Sequence, residues 1–206
     1  MTDDLSEAER DRRHAEKKRK QKAARDKILA GKTIEKGLLI VHTGKGKGKT
    51  TAAMGLVMRA LGHGTRIGIV QFVKGKWQTG ERQVLDRFPD QVTIKVMGEG
   101  FTWETQDRQR DLAAARAAWD ASRAFLADPA YGLVVLDELN IVLRYDYLEL
   151  AAVLAALAAR PPAQHVVVTG RNAPAALVEQ ADLVTDMSLV KHPFRAGVKA
   201  QLGIEF

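Results

Sequence analysis

The sequence contains no cysteine, few aromatic residues and no long apolar run. None of the 206 residues is Cys, and aromatic side chains make up 6% of them. The absence of Cys excludes a disulfide framework, a thiolate metal site, a Cys nucleophile and an internal dithiol reductant. No apolar run approaches the roughly 20 residues that cross a bilayer, so we expect no membrane partner. The acidic N-terminus lacks the apolar segment of a secretory signal, and we expect a cytoplasmic protein.

Positive charge is concentrated at the N-terminus. The net charge is +7, from 32 Lys and Arg against 25 Asp and Glu. Residues 1–36 hold 12 of the basic and 8 of the acidic side chains. Neither Gly nor Pro occurs from Ser6 to Leu29, which predicts a helix over residues 6–29 with almost no apolar face. We therefore predict a charged helical arm or lid over residues 1–36 and a folded domain over residues 37–206.

Short apolar runs alternate with helical patterns along residues 37–206. The predicted strands are Leu38–Val41, Ile67–Val73, Val92–Met97, Leu133–Leu136, His165–Thr169 and Leu183–Met187. The predicted helices are residues 49–61, 80–88, 106–127, 147–159 and 174–180. Several of these strands are continuous apolar runs, which is typical of a sheet that is covered on both faces. The pattern predicts an α/β fold, with a mostly parallel sheet and helices on both faces.

A loop rich in glycine and lysine follows the first predicted strand and precedes a helix. Backbone N–H groups in such a loop, together with the helix N-terminus, bind phosphates. We predict a triphosphate site formed by Thr43, Gly44, Lys45, Gly46, Lys47, Gly48, Lys49, Thr50 and Thr51. Lys49 would neutralise phosphate charge and the Thr50 hydroxyl would bind Mg²⁺, so we assign these two to catalysis. The fold is therefore predicted to be P-loop NTPase-like (RecA-like).

This loop departs from the standard P-loop pattern. The first Gly normally lies five residues before the Gly that precedes Lys-Thr, and that position is Thr43. The glycine is at Gly44 instead, so the loop is one residue tighter. Lys45 and Lys47 add positive charge that an ordinary P-loop lacks. These differences predict a pocket that holds its triphosphate differently from a phosphoryl-transfer enzyme.

Two acidic residues follow the fourth predicted strand. A carboxylate at the carboxyl end of a parallel strand reaches Mg²⁺ bound beside a P-loop. We predict that Asp137 or Glu138 holds Mg²⁺ together with Thr50. In a hydrolase, Glu138 would activate water.

Six segments of residues 37–206 together match one known family. They are GLLIVHTGKGKGKTTAA (37–53), QFVKGKWQTGE (71–81), GEGFTWET (98–105), VVLDELN (134–140), VVVTGRNAP (166–174) and VKHPFRAGVKAQLGIEF (190–206). On these segments the chain resembles the P-loop-type ATP:corrinoid adenosyltransferases, which act on cob(I)alamin or cob(I)yrinic acid a,c-diamide in cobalamin biosynthesis and salvage. The tight loop is itself the form found in this family.

The resemblance implies a reaction and its substrates. Such enzymes transfer the 5′-deoxyadenosyl group of ATP to Co(I) of a corrinoid and release the whole triphosphate, with Mg²⁺ as cofactor. An external electron donor, a reduced flavin or flavoprotein, reduces the cobalt of the corrinoid to Co(I). Aromatic residues press against one face of the corrin and remove its lower ligand; Phe101 and Trp103 match those positions, and Trp77 is a weaker candidate. The family also implies a homodimer whose N-terminal helix folds over an active site.

Other polar residues have two readings in the sequence. Arg171, after the fifth predicted strand, either holds ATP phosphates or forms a surface ion pair. Lys74 and Lys76 either meet a substrate or face solvent, and Lys191 and His192 belong either to the site or to the fold. We expect His42 to be a hydrogen-bonded core histidine.

Two rival functions remain at this stage. A P-loop ATPase or kinase would use Glu138 and would yield ADP. A nucleic-acid-binding NTPase would use the basic arm, and its affinity would fall steeply with salt. The folded domain lacks interleaved basic and aromatic residues, so nucleic acid is the least supported partner.

Overall fold

The computed structural model describes residues 6–73, 79–97 and 108–205. The chain divides into two compact units, Met1–Glu35 and Lys36–Phe206. The first unit contains one helix, α1 (Glu7–Ala30), which agrees within one residue with the helix predicted over 6–29. Ser6 caps this helix, because its side chain accepts a hydrogen bond from Glu9 N at 3.3 Å. Charged pairs one turn apart support the helix, such as Glu16 with Lys20 at 2.8 Å.

The second unit is built on a parallel sheet of six strands. They are β1 (Leu39–Thr43), β2 (Ile67–Gln71), β3 (Val92–Val96), β4 (Leu133–Asp137), β5 (His165–Thr169) and β6 (Leu183–Asp186). Their order is β3-β2-β4-β5-β1-β6, and every pairing is parallel. The predicted α/β fold with a parallel sheet is confirmed.

Helices cover both faces of this sheet. They are α2 (Lys49–Gly62), α3 (Gly80–Leu85), α4 (Arg108–Ala127), α5 (Leu139–Arg144), α6 (Leu150–Ala158) and α7 (Ala175–Gln180), followed by a 3₁₀ helix at Pro193–Ala196. Side chains of successive strand residues enter two different cores. Val134 and Leu136 pack with α4 to α7, whereas Leu133 and Val135 pack with α2 and α3.

The strand order places the phosphate loop and the acidic turn at one edge of the sheet. The loop follows β1 and the acidic pair ends β4, and β5 lies between these two strands. Since all strands are parallel, their carboxyl ends lie at the same edge, which is where α/β proteins bind ligands. The phosphate loop, the acidic turn and the end of β5, which are distant in sequence, therefore meet there.

The observed elements differ from the predicted ones by one additional helix and in several of their bounds. The helix predicted over 147–159 is observed as α6 at Leu150–Ala158, and the preceding short helix α5 was not predicted. Asp146 has a φ of 53°, a left-handed conformation that separates the two helices. Helix α5 is only six residues long, too short for a helical period to show in the sequence. Strand β2 ends at Gln71, two residues before the predicted end.

Among the residues that the structure describes, no helix is both long enough and apolar enough to cross a membrane.

Two glycines provide a matched test of packing in this unit. A Cβ at Gly68 in β2 would lie 2.7 Å from the ring of Phe125, whereas a Cβ at Gly55 in α2 meets nothing within 4 Å. Gly68→Ala should lower the free energy of unfolding by about 1–3 kcal/mol through overpacking. Gly55→Ala should raise it by about 0.4–1 kcal/mol, since alanine restricts the unfolded chain. Urea unfolding measures both, and equal stabilities of the two variants would contradict this packing.

Candidate active site

The phosphate loop runs from β1 to α2 and packs against the segment that follows β6. Gly44 and Gly48 have φ values of 98° and 106°, in the left-handed region that favours glycine. Gly46 N donates to Met187 O at 2.6 Å, and a Cβ at Gly46 would lie 2.6 Å from the same oxygen. The loop therefore needs glycine both for its conformation and for its close packing.

Lys49 is held by the backbone of its own loop. Its Nζ donates to Gly44 O at 2.9 Å and to Gly46 O at 2.6 Å, and the residue is buried. Burial lowers the pKa of Lys49, and the negative charge of Glu138 opposes this effect. An anion in the loop would restore the preference for the charged ammonium.

Asp137 ends β4 and is 3% exposed. Its Oδ1 accepts hydrogen bonds from Thr50 Oγ1 at 2.9 Å and from Thr169 Oγ1 at 2.7 Å. Gln71 Nε2 lies 3.4 Å from Oδ2 and donates to it. Burial raises the pKa of Asp137, and these three hydrogen bonds oppose the rise. The predicted magnesium ligands Thr50 and Asp137 are therefore in direct contact.

Glu138 is in a less usual environment. Its φ is 61°, and its N–H donates to Thr169 Oγ1 at 2.9 Å. Its Oε2 is buried and accepts no hydrogen bond from any residue that the structure describes. Burial, and secondarily the charge of Asp137, raise the pKa of Glu138 to about 7, although Lys49 and Arg171 act in the opposite direction. The two neighbouring carboxyls thus differ in their environment, because Asp137 is hydrogen-bonded whereas Oε2 of Glu138 has no partner within the described part of the chain.

These groups surround a cavity of about 410 Å³. Of the predicted residues, its wall contains Gly46, Lys47, Gly48, Lys49, Thr50, Thr51, Asp137, Glu138 and Arg171. The wall also includes the apolar side chains of Met54, Ile69, Leu85 and Ile94. The cavity wall thus combines cationic and apolar side chains, which suits a ligand that carries both phosphate and a ring system.

Several other predicted residues lie away from this wall. Thr43 is buried, and its Oγ1 accepts a hydrogen bond from Ala173 N at 3.1 Å. Gly44 supports Lys49 through its carbonyl oxygen, and Lys45 is exposed. Trp77, Phe101 and Trp103, the predicted corrin residues, lie outside the described residues, as do Lys74 and Lys76.

The structure shows the environments of His192 and His42. His192 Nδ1 accepts a hydrogen bond from Phe194 N at 3.1 Å and caps the 3₁₀ helix, which is a role in the fold. His42 is buried as expected, and burial lowers its pKa. The expectation that it is hydrogen-bonded is wrong, because neither ring nitrogen has a partner among the described residues. The position of His42 within a strand predicted its burial, but whether its ring nitrogens have partners depends on the packing around them.

The residues of the site that sequence reasoning missed include two strand ends and two residues of the C-terminal segment. Gln71 and Thr169 end β2 and β5 and bind Asp137, and a polar residue at the end of an apolar strand is the signal that could have found them. Ile204 and Glu205 belong to the cavity wall, and Glu205 forms an ion pair with Lys47. No local pattern in the sequence indicates that the C-terminal segment reaches the loop.

The oxygen atoms at the end of β4 fit Mg²⁺, which prefers carboxylate and hydroxyl ligands. Thr50 Oγ1 and Asp137 Oδ1 lie 2.9 Å apart, and the buried Oε2 of Glu138 is unpaired within the described part of the chain. No group of three or more His, Cys, Asp or Glu able to hold a metal occurs among those residues. A cation here would therefore depend on ligands from a bound phosphate as well.

Comparison with known proteins gives a consistent result. The model of a family described as ATP:corrinoid adenosyltransferase BtuR/CobO/CobP matches residues 35–206. A corrinoid adenosyltransferase of Pseudomonas aeruginosa is 59% identical over 198 residues, which are 96% of this chain and 98% of the relative. The corrinoid adenosyltransferase CobA of Salmonella typhimurium is 48% identical over 196 residues, 95% of this chain and 99% of the relative.

Glu138 should titrate near neutral pH. Without nucleotide, a carboxyl carbon resonance that is absent from Glu138→Gln should have a midpoint of about 7, against 4.5 for an ordinary glutamate. The folded protein binds this proton more tightly than the unfolded chain does, so this group makes stability fall as pH rises through that interval.

The same titration should appear in stability measurements. Glu138→Gln carries no charge at any pH, so it should gain about 3 kcal/mol of unfolding free energy relative to the unmodified protein across that interval. Urea unfolding at a series of pH values measures the difference. A stability difference that is independent of pH, or an NMR midpoint near that of an ordinary glutamate, would contradict the burial of Glu138.

Proposed function

The chain belongs to the ATP:corrinoid adenosyltransferase family, and we propose that the cavity at its phosphate loop is the site of the adenosyl transfer. As a member of this family it transfers the adenosyl group of ATP to a corrinoid in cobalamin synthesis. The observation that carries the assignment of the site is the meeting of the phosphate loop, Asp137 and Arg171 in one cavity wall.

The triphosphate of ATP binds at the phosphate loop in this cavity. The loop N–H groups and the N-terminus of α2 supply donors, and Lys47, Lys49 and Arg171 supply positive charge. Lys49 exchanges the carbonyl oxygens of Gly44 and Gly46 for phosphate oxygens. Thr43 and Gly44 lie outside the cavity wall and stabilise the conformation of the loop.

Thr50 and Asp137 hold Mg²⁺, with Glu138 beside them. When bound, Mg²⁺ neutralises charge on the phosphate oxygens. Thr50 Oγ1 and Asp137 Oδ1 already point at each other, which supports their role as ligands. Because the pKa of Glu138 is about 7, part of the protein carries this carboxyl in its neutral form near neutral pH, which reduces its repulsion of the triphosphate.

No side chain has to attack in this reaction. Co(I) of the reduced corrinoid donates its electron pair to C5′ of ATP and forms the Co–C bond. The bond from C5′ to the α-phosphate oxygen breaks, and its electron pair leaves with the triphosphate. Negative charge grows on that oxygen, so the protein's contribution is to position the two substrates and to stabilise the leaving charge.

Phe101 and Trp103 form the corrin side of the site, with Trp77 as a further candidate. This assignment rests on the family resemblance of their segments, since these residues lie outside the described ranges. The family resemblance supports an external reduced flavin or flavoprotein as the electron donor, and the chain itself has no Cys to form a dithiol. The charged helical arm within residues 1–36 acts as a lid in a cytoplasmic homodimer, and the domain of residues 37–206 carries the chemistry.

One observation keeps an ATPase as the second candidate. Glu138 combines an unpaired buried oxygen with a pKa of about 7, and such a carboxyl serves well as a general base for water. The two candidates differ in their products, because an ATPase releases ADP and phosphate whereas an adenosyltransferase releases tripolyphosphate.

A product assay tests the proposed function. The protein is incubated without oxygen with Mg-ATP, a corrinoid and a strong reductant, and the corrinoid spectrum and the phosphate products are followed together. We expect a light-sensitive Co–C species and stoichiometric tripolyphosphate. Lys49→Ala should lose both products, because the loop then lacks the charge that holds the triphosphate. ADP and phosphate without a spectral change, under verified Co(I), would establish the ATPase instead.

Glu205 should weaken triphosphate binding. Its carboxylate pairs with Lys47 inside the same cavity, where it competes with phosphate for that charge. Glu205→Gln should therefore bind Mg-tripolyphosphate about threefold more tightly, as expected for an exposed ion pair. Calorimetric titration measures this, and Glu149→Gln is the control because it removes the same charge from the exposed start of α6. Weaker binding by Glu205→Gln would show that Glu205 instead supports the triphosphate.

A further inference from the structure

The loop that carries Arg171 is held at its backbone by neighbouring elements. It connects β5 to α7, and Gly170 N donates to His42 O at 3.2 Å. Ala173 N donates to Thr43 Oγ1 at 3.1 Å. Gly170 has a φ of 128° and Asn172 one of 55°, so the chain turns sharply on both sides of Arg171. The direction of the Arg171 side chain therefore depends on these anchors.

Asn140 supplies a further anchor from the acidic turn. It lies in α5, two residues after Glu138, and it is fully buried. Its Nδ2 donates to Gly170 O at 2.9 Å. The approach is tight as well, since a Cβ at Gly170 would lie 2.8 Å from the Asn140 Cβ. Both backbone polar groups of Gly170 are thus used, one by β1 and one by Asn140.

We propose that Asn140 is a positioning residue that holds the Gly170–Asn172 turn so that the Arg171 guanidinium faces the triphosphate. The inference rests on the proposed function of the cavity, and it extends it to a residue outside the cavity wall. The Arg171 side chain is long and exposed, and the fixed backbone of the turn limits the directions that it can take. The positive charge of Arg171 acts on Glu138 and Lys49, which places it near both.

Gln164 is a matched control for a buried amide that acts in the fold alone. It is 1% exposed, and its Nε2 donates to the carbonyl oxygens of Phe125, Asp128 and Tyr131. It precedes β5, so it lies at the opposite end of that strand from Gly170. Loss of this amide should affect stability without changing the direction of Arg171.

A double-mutant cycle on the full-length protein tests the inference. Binding of Mg-tripolyphosphate is titrated for the unmodified protein, Asn140→Leu, Arg171→Ala and the double variant. Leucine has the same number and branching of side-chain heavy atoms as asparagine, and it removes the donor. Asn140→Leu should weaken binding about fivefold, as expected for one lost hydrogen bond. In the Arg171→Ala background it should have no further effect.

Further readouts keep the test decisive. Gln164→Leu should lower the unfolding midpoint and leave the tripolyphosphate Kd unchanged in both backgrounds. If Asn140→Leu folds poorly, Gly170→Ala replaces it, because the added Cβ displaces the same turn. In Asn140→Leu and Gly170→Ala, KM for ATP should rise more than kcat falls.

Three outcomes overturn the inference. The first is an Asn140→Leu effect that multiplies with that of Arg171→Ala, and the second is no effect of Asn140→Leu at all. The third is an Arg171→Ala variant that binds tripolyphosphate as the unmodified protein does. Failure of the proposed function looks different, because the unmodified protein would then form no Co–C species in the product assay.

Discussion

The buried carboxylate of Asp137 is the interaction on which the rest of the site depends. Its Oδ1 accepts hydrogen bonds from Thr50 at the start of α2 and from Thr169 at the end of β5. Since β5 lies between β4 and β1, these bonds link the acidic turn to the phosphate loop across an intervening strand. A buried carboxylate is costly unless it is hydrogen-bonded or paired. The fold meets this need with the hydroxyls of Thr50 and Thr169, and the Thr50 hydroxyl is also a proposed magnesium ligand.

Burial moves the titratable groups around Asp137 toward their neutral forms. It raises the pKa of Glu138 and lowers that of Lys49, while each of these two charges favours the other. An anionic triphosphate would favour the charged form of Lys49 and the neutral form of Glu138. The site is thus arranged electrostatically for a ligand of negative charge. This arrangement agrees with a reaction in which the protein stabilises a leaving triphosphate and supplies no nucleophile.

Local patterns in the sequence predicted the elements of the fold better than their partners. Each of the six strands was predicted, because apolar runs bounded by turns are local signals. The short helix α5 was missed, because its six residues are too few to show a helical period in the sequence. The polar residue Gln71 and the C-terminal Glu205 were missed for another reason. Their roles arise from contacts with Asp137 and Lys47, which lie far away in sequence.

The sequence by itself determined the α/β class, the phosphate loop and the family, because each is encoded in short patterns of residue type and spacing. The tertiary structure alone decided which strand ends are neighbours and therefore which polar groups meet. It distinguished Thr43 and Gly44, which support the loop, from Lys49 and Thr50, which form the cavity wall. It also separated the adjacent carboxyls Asp137 and Glu138, because burial and hydrogen bonding depend on atoms brought together by the whole chain.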